Sequence, residues 1–120
     1  MPTKNLTAET FESTVTATGI VLVDFWAAWC GPCRAFAPVF ESASNRHRDV
    51  VFAKVDTEAE PELSAANRIT SIPMLMVFRD GVLVYSQPGA LPTPQLELLI
   101  QKARELDMDE VHRQLAQRTA

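Results

Sequence analysis

The sequence contains only two cysteines and no long hydrophobic run. Two cysteines cannot build the several disulfides that hold small secreted scaffolds together. Asp24 and then Arg34 interrupt the longest apolar stretch, which falls short of the ~18 residues that a membrane span needs. The first ten residues include one lysine but no apolar segment behind it, which argues against a secretory signal. We therefore expect a cytoplasmic protein without membrane association, in which the cysteines have another purpose.

An excess of positive charge is also absent. The chain has 11 lysines and arginines against 15 aspartates and glutamates, a net charge of −4. Nucleic-acid binding needs clustered lysine and arginine, so we expect no nucleic-acid partner. With 47% hydrophobic and 22% charged residues, the composition is that of a globular protein rather than of a disordered or fibrous one. The 120 residues have room for one domain with one core, and we expect a monomer.

Hydrophobic periodicity predicts helices that alternate with strands, followed by a hairpin. Predicted helices span residues 8–17, 31–46, 61–67 and a segment that begins at residue 93; predicted strands span 20–26, 50–55, 74–78 and 82–85. The first of these strands is an almost unbroken apolar run, which favours a strand covered on both faces. Asp80-Gly81 joins the last two strands in a tight turn. This order predicts an α/β protein with a central mixed sheet and helices on both faces.

Residues 107–120 form a tail with its own helical pattern. Met108, Val111 and Leu115 recur at helical spacing, so we predict a short helical extension beyond a domain of residues 1–106. The apolar edge of the tail either packs on the last helix of the domain, which we favour, or binds another chain.

The motif Cys-Gly-Pro-Cys occupies residues 30–33, between a buried strand and a helix. A zinc site needs four ligands, or three and a water molecule, and the remaining candidates, His47 and His112, show no paired spacing. We expect His47 to be a solvated helix cap and His112 to lie on the surface. A purely structural disulfide across so short a loop would restrict little unfolded-chain entropy. A redox-active dithiol is therefore the favoured interpretation.

The position of the motif predicts different roles for the two sulfurs. Cys30 lies at a helix N-terminus, where unpaired N–H groups and the helix dipole favour a thiolate. Cys33, one turn later and less exposed, can close a Cys30–Cys33 disulfide. We predict that Cys30 is the attacking nucleophile and that Cys33 is the resolving thiol.

Asp24 is a carboxylate within the apolar strand. Burial on both faces of the sheet should raise its pKa, and such a group can accept the proton of Cys33 directly or through water. The alternative is that Asp24 turns outward at the end of the strand.

The chain resembles the thioredoxin family. The stretch VLVDFWAAWCGPC, from Val21 to Cys33, is similar to the active-site strand and loop of that family nearly residue for residue. Similarity extends over about residues 6–102, and the further segments that align are Pro38, residues 53–56, residues 71–73 and residues 88–91. The resemblance implies a thioredoxin fold and a protein-disulfide reductase, which exchanges its dithiol for the disulfide of a client protein.

The resemblance also implies roles for individual residues. Pro73 should be cis and face the cysteines, and Lys54 should be the electrostatic partner of Asp24. Trp26 should pack beneath the dithiol, and Pro38 should support the active-site helix. The residues implied to form an apolar docking surface for a client are Trp29, Gly31, Pro32, Ile72, Pro73, Gly89 and Ala90, with the Ile72 backbone pairing to an extended client segment.

The family implies partners but no bound cofactor or metal. Electrons would come from NADPH through a thioredoxin reductase, and the partners would be that reductase and disulfide-containing client proteins. The residues that depart from the common family pattern are Ala28, Arg34, Ser71, Met74 and Pro88. The departures at Met74 and Pro88, together with the tail, motivate an alternative, a binding module or subunit with a thioredoxin fold whose redox activity is secondary.

Overall fold

Five strands and five helices make up residues 2–119, the part of the chain that this computed structural model describes. The strands are β1 (Thr3–Asn5), β2 (Ile20–Trp26), β3 (Val51–Asp56), β4 (Met74–Arg79) and β5 (Val82–Pro88). The helices are α1 (Phe11–Val15), α2 (Gly31–Arg46), α3 (Pro61–Ala66), α4 (Thr93–Glu105) and α5 (Met108–Thr119). Within these residues, no helix combines the length and the apolar character that a membrane crossing requires.

The strands form one mixed sheet in the order β1-β3-β2-β4-β5. Strand β2 pairs in parallel with β3 and antiparallel with β4, so it lies at the centre of the sheet. The predicted α/β class and mixed sheet are confirmed. Strand β1 was not predicted, because its three residues are polar and short of any alternating pattern. It forms by pairing in parallel with the edge of β3, where Thr3 is opposite Phe52.

Strand β2 is covered on both faces, as its apolar run predicts. Alternate residues point to opposite sides, so that Leu22 lies in one apolar cluster and Val23 lies in the other. The first cluster takes its helical members from α2 and α4: Phe36, Phe40, Ala43, Leu96, Ile100 and Ala103. The second takes Phe11 and Val15 from α1, with Leu63 of α3 packed against it. Strand β2 therefore lies between two apolar clusters, one on each face of the sheet.

The hairpin of β4 and β5 turns at Asp80 and Gly81, as predicted. Both residues have positive φ, at 51° and 82°, which matches the twist of a two-residue hairpin. The turn is tied to the start of β2, because Asp80 Oδ1 accepts a hydrogen bond from the Gly19 N–H at 2.7 Å. The N–H of Asp80 in turn donates to the Gly19 carbonyl at 2.9 Å.

Helix α1 is shorter than the predicted span of residues 8–17. Residues before it form a turn in which Thr10 Oγ1 accepts a hydrogen bond from the Thr7 N–H at 2.9 Å. The Thr7 carbonyl accepts from the N–H groups of Thr10 and Phe11, at 3.1 and 3.0 Å. Threonine side chains compete for backbone groups in this way, and so they delay the start of the helix.

His47 is a helix cap, as the sequence predicts, but it is not fully solvated. It ends α2 as its C-cap residue and is half-buried, with Nε2 2.8 Å from Glu97 Oε1 on α4. Nδ1 lies 3.1 Å from Arg104 Nη2, so the ring lies between side chains of α4 on both of its nitrogen atoms. Burial opposes ionisation of Glu97, but hydrogen bonds from Arg46 and His47 lower its pKa. These side chains join the end of α2 to α4.

Helix α5 confirms the predicted helical extension. Asp107 caps it, because Oδ1 accepts a hydrogen bond from the Glu110 N–H at 3.2 Å. None of its side chains within residues 108–118 is fully buried. Val111 and Leu115 line a groove with residues 82–84 of β5, whereas the apolar face of α4 is buried in the first cluster. The tail therefore lies beside the edge strand β5. Its packing on the last helix of the domain, which we favoured, stays a prediction.

Candidate active site

The two cysteines lie at the start of α2, just after the loop that follows β2. Cys30 is the N-cap residue of α2, with φ −85° and ψ 113°, and Pro32 occupies the first turn. The structure contains the Cys30–Cys33 disulfide, whose Cα atoms are 5.2 Å apart. Cys30 Sγ accepts a hydrogen bond from the Cys33 N–H at 3.2 Å. In the reduced protein, the same N–H and the positive end of a 16-residue helix stabilise a thiolate on Cys30.

The expected difference in exposure between the cysteines is absent in this disulfide form. Cys30 is 4% exposed and Cys33 is 3% exposed. The two sulfurs differ instead in their surroundings, because the Ile72 carbonyl oxygen lies 3.7 Å from Cys30 Sγ. Local hydrogen bonding, and not exposed area, therefore distinguishes Cys30 from Cys33.

The Ile72–Pro73 peptide bond is cis, as the resemblance implies. Pro73 is buried, and Ile72 packs against the cluster formed by Ala27, Cys30 and Cys33. The Pro73 carbonyl accepts a hydrogen bond from the Gly89 N–H at 2.8 Å, and Gly89 has a φ of 108°. The loops before β4 and after β5 are thereby fastened together beside the disulfide.

The residues implied to form a docking surface surround this junction. Trp29 is 67% exposed, the largest exposure among the large hydrophobic side chains that the structure describes. Ile72 is half-buried, and the exposed members are Gly31, Pro32, Gly89 and Ala90. Trp29 and Ile72 also line a cavity of about 180 Å³, together with Thr57, Ser64, Ile69 and Thr70. Sequence reasoning missed these last four residues, because no chemical motif marks them.

Asp24 lies inside the sheet and is 1% exposed, so the outward orientation is wrong. Neither carboxylate oxygen has a hydrogen-bond partner among the described residues. Burial raises the pKa of Asp24 to about 7, and the neighbouring Lys54 ammonium partly offsets that rise. A group with this pKa exchanges its proton near neutral pH, which is what an acceptor for a thiol proton requires.

Lys54 and Trp26 lie close to Asp24. Lys54 is directly opposite Asp24 in the parallel register of β2 and β3. Lys54 Nζ lies 4.9 Å from the centre of the Trp26 ring, a cation–π contact that sequence reasoning did not anticipate. Trp26 packs against the cluster of Ala27, Cys30 and Cys33, which is the position the resemblance implies. The indole of Trp26 therefore contacts both Lys54 and the cluster that contains the two sulfurs.

Pro38 lies inside α2, seven residues after the helix begins, and is exposed. Its supporting role stays a prediction, since the structure assigns it no contact with the sulfurs. Across residues 2–119, no three histidine, cysteine, aspartate or glutamate side chains come together in a group able to hold a metal ion.

Comparisons with known proteins agree with this site. The family model described as Thioredoxin matches residues 2–102. A protein of Streptomyces coelicolor with the provisional name thioredoxin 2 is 54% identical over 118 residues, which cover 98% of this chain and 88% of that protein. This alignment extends beyond the family model and into α5. The aligned region therefore includes the tail as well as the domain.

Solved thioredoxin structures match the same domain. Plasmodium falciparum thioredoxin superposes with a TM-score of 0.75 at 36% identity, covering 82% of this chain and 97% of that structure. Malassezia sympodialis thioredoxin gives 0.76 at 28% identity, with 86% and 94% covered. The chain has the thioredoxin fold and a cysteine pair able to form a disulfide at the family's active-site position. It belongs to the thioredoxin family and is a thiol–disulfide oxidoreductase of the protein-disulfide reductase type.

Proposed function

We propose that the chain reduces disulfides of client proteins in the cytoplasm, with Cys30 as nucleophile and Cys33 as resolving thiol. Electrons come from NADPH through a thioredoxin reductase. The observation that carries the assignment of roles is the hydrogen bond from the Cys33 N–H to Cys30 Sγ at the N-cap of α2. It stabilises negative charge on Cys30 and leaves Cys33 as the second sulfur to react.

The exchange has two steps. The Cys30 thiolate attacks one sulfur of the client disulfide, forms a mixed disulfide and releases the other client sulfur as a thiolate. Cys33 then loses its proton and attacks Cys30 Sγ, which closes the Cys30–Cys33 disulfide and releases the second client sulfur. Two electrons pass from the dithiol to the client disulfide, and the reductase restores them.

Asp24 is the proton acceptor for Cys33 in the second step, either directly or through water. Its carboxylate has a pKa of about 7 because of burial, and Lys54 opposes the rise. A base of that pKa is about half ionised at neutral pH, so it can accept the thiol proton and then release it. Lys54 favours the ionised form that this step needs.

The docking surface holds the client segment beside Cys30. Trp29, Ile72 and the glycine-containing loops provide an apolar surface, on which an extended segment can lie. The Ile72 carbonyl, 3.7 Å from Cys30 Sγ, is positioned to accept a backbone hydrogen bond from that segment once the disulfide opens. Pre-organised contacts of this kind orient the mixed disulfide for the attack by Cys33.

Reduction of insulin disulfides in the presence of NADPH and a thioredoxin reductase tests the proposal. The wild-type chain should reduce insulin, and Cys30→Ser should abolish the reaction. Cys33→Ser should accumulate a covalent mixed disulfide with the client, visible by mass spectrometry, and Cys30→Ser serves as its matched control.

Two results would contradict the assignment. One is a Cys33→Ser protein that captures no covalent adduct with insulin, and the other is an adduct formed equally by Cys30→Ser. If the double variant with both cysteines replaced by serine kept the protein's cellular function, the binding-module alternative would replace the reductase.

A further inference from the structure

The surface around the dithiol has one charged side chain in its three framing segments. These segments are residues 27–34, 69–74 and 87–93, which contribute the sulfurs, the cis-proline and the loop bonded to it. Arg34 is the only lysine, arginine, aspartate or glutamate within them. The other residues of these segments are apolar or neutral. Arg34 is therefore the one ionised side chain of these segments that a charged residue of a docked client can meet.

The Arg34 guanidinium lies against the active-site loop. Nη1 donates a hydrogen bond to the Ala28 carbonyl at 2.9 Å. A Cβ atom added to Gly31 would lie 3.9 Å from Nη2, which places the other end of the guanidinium over the residue that follows Cys30. The cation is therefore held at the rim of the dithiol by the backbone, within one residue of the nucleophile.

No carboxylate within residues 2–119 forms an ion pair with this cation. The ion pairs formed by residues 2–119 use other arginines and His47, and none includes Arg34. Ala28, whose carbonyl accepts the hydrogen bond, offers no side-chain charge. Arg34 is exposed, and most of its hydrogen-bond donors are available to a client. A guanidinium has five N–H groups, and only one of them has an acceptor within the described residues.

We propose that Arg34 is a specificity-determining residue, which favours client disulfides flanked by aspartate or glutamate over those flanked by lysine or arginine. This inference rests on the proposed reductase function and adds a selectivity to it. The chain as a whole carries a charge of −4 and repels acidic clients at long range. Arg34 reverses that preference locally, at the place where the client sulfur must reach Cys30.

The effect should be modest and sensitive to salt. Exposed ion pairs change an equilibrium by roughly two- to fivefold, so the preference for an acidic over a basic flank should be of that size. Screening shortens the range of such interactions to about 3 Å at 1 M salt. The preference should therefore shrink toward one in about 1 M sodium chloride.

Single-turnover reduction of two synthetic peptides tests the proposal. The peptides contain the same intramolecular disulfide and differ only in glutamate or lysine at the positions flanking one cysteine. Pre-reduced protein is mixed with each peptide, and the second-order rate constants are compared without a reductase, whose own docking would complicate the result. The wild type should reduce the glutamate peptide about two- to fivefold faster.

Three variants and a control identify the cause. Arg34→Gln should bring the ratio of the two rate constants close to one, Arg34→Glu should invert it, and Arg34→Lys should retain it. Arg48→Gln, which removes an exposed arginine beyond the far end of α2, should leave the ratio unchanged.

The outcomes separate this inference from the function on which it rests. If the wild type reduces neither peptide, the reductase function fails. If it reduces both peptides at equal rates, the proposed selectivity is overturned. The selectivity is also overturned if Arg34→Gln slows both peptides by the same factor, because Arg34 then affects the reactivity of the dithiol and not the choice of client.

Discussion

Asp24 shows how one buried residue controls the response of this protein to pH. The carboxylate lies between strands that bury it, and its neighbours Val23 and Phe25 are fully covered. Its pKa of about 7, against an ordinary value of 3.8, means that the folded protein binds this proton more tightly than the unfolded chain does. The stabilising contribution is therefore complete below about pH 4 and is lost as the pH rises through 7.

Replacing Asp24 with asparagine should remove this loss. Each tenfold change in proton affinity corresponds to about 1.36 kcal/mol, so the displacement from 3.8 to about 7 costs the wild type roughly 4 kcal/mol of stability at alkaline pH. Asp24→Asn should be more stable than the wild type by several kcal/mol at pH 8 and similar to it at pH 4. Urea unfolding of the oxidised proteins measures the difference, and an equal difference at both pH values would contradict the prediction.

Replacing Lys54 with glutamine should move the same transition upward. Lys54 lowers the pKa of Asp24 through its positive charge, so its removal should raise that pKa above about 7. The stability difference between each background and its Asp24→Asn partner, followed from pH 5 to pH 9, gives the midpoint. Lys4→Gln, in the neighbouring strand β1, is the matched control and should leave the midpoint in place; a shift of equal size there would count against a local effect of Lys54.

The side chains described above differ in how far the sequence can predict their surroundings. Asp24 could be recognised as buried because apolar residues precede and follow it in a strand without alternation. The surroundings of His47 could not, because its partners Glu97 and Arg104 are 50 and 57 residues away in sequence. The same limit applies to Ser64 and Ile69 beside Trp29, which come together only when α3 and its following loop pack near the active site.

At the scale of elements, the local sequence pattern predicts the strands and helices whose own apolar residues are buried in the core. The central strand, the long helix after the cysteines and the hairpin follow from apolar periodicity and from Asp80-Gly81, and the structure has all three. Strand β1 and the position of α5 depend on contacts with distant partners. Nothing in their local residues specifies those contacts, so periodicity alone does not predict them.

The junction of α2 and α4 should be a measurable source of stability. Glu97 accepts hydrogen bonds from Arg46 at 2.8 Å and from His47 at 2.8 Å. Glu97→Gln should lower the free energy of unfolding by about 0.5–1 kcal/mol, because these pairs are partly exposed to solvent. Urea unfolding at pH 7 measures the loss. The matched control is Glu12→Gln on α1, which forms no ion pair within residues 2–119 and should change stability by less.

At the scale of the whole molecule, the sheet separates the dithiol from the tail. Strand β5 runs antiparallel to β4, and β4 runs antiparallel to β2, so β5 begins at the end of the sheet where β2 also begins. The cysteines follow the other end of β2. Residues 82–84, beside α5, are therefore about 20 Å from the dithiol end, which is the length of a strand of this size.

Deleting residues 107–120 should leave disulfide reduction intact and reduce stability only slightly. Helix α5 has no fully buried side chain within residues 108–118, so its removal uncovers little apolar surface. We expect the free energy of unfolding to fall by about 1 kcal/mol or less, measured by urea unfolding beside the insulin assay. A fall of several kcal/mol, or loss of insulin reduction, would contradict this prediction.

The position of α5 makes it a suitable attachment site for coupling the protein to a solid support. Gln117 is an exposed residue of α5, next to Arg118, which lines a groove with residues 82–84 at the start of β5. A bead or an electrode coupled at that residue would leave the opposite pole, with Trp29 and the disulfide, facing the solution. Coupling there should preserve turnover of large substrates, whereas coupling near Ala90 would block their approach.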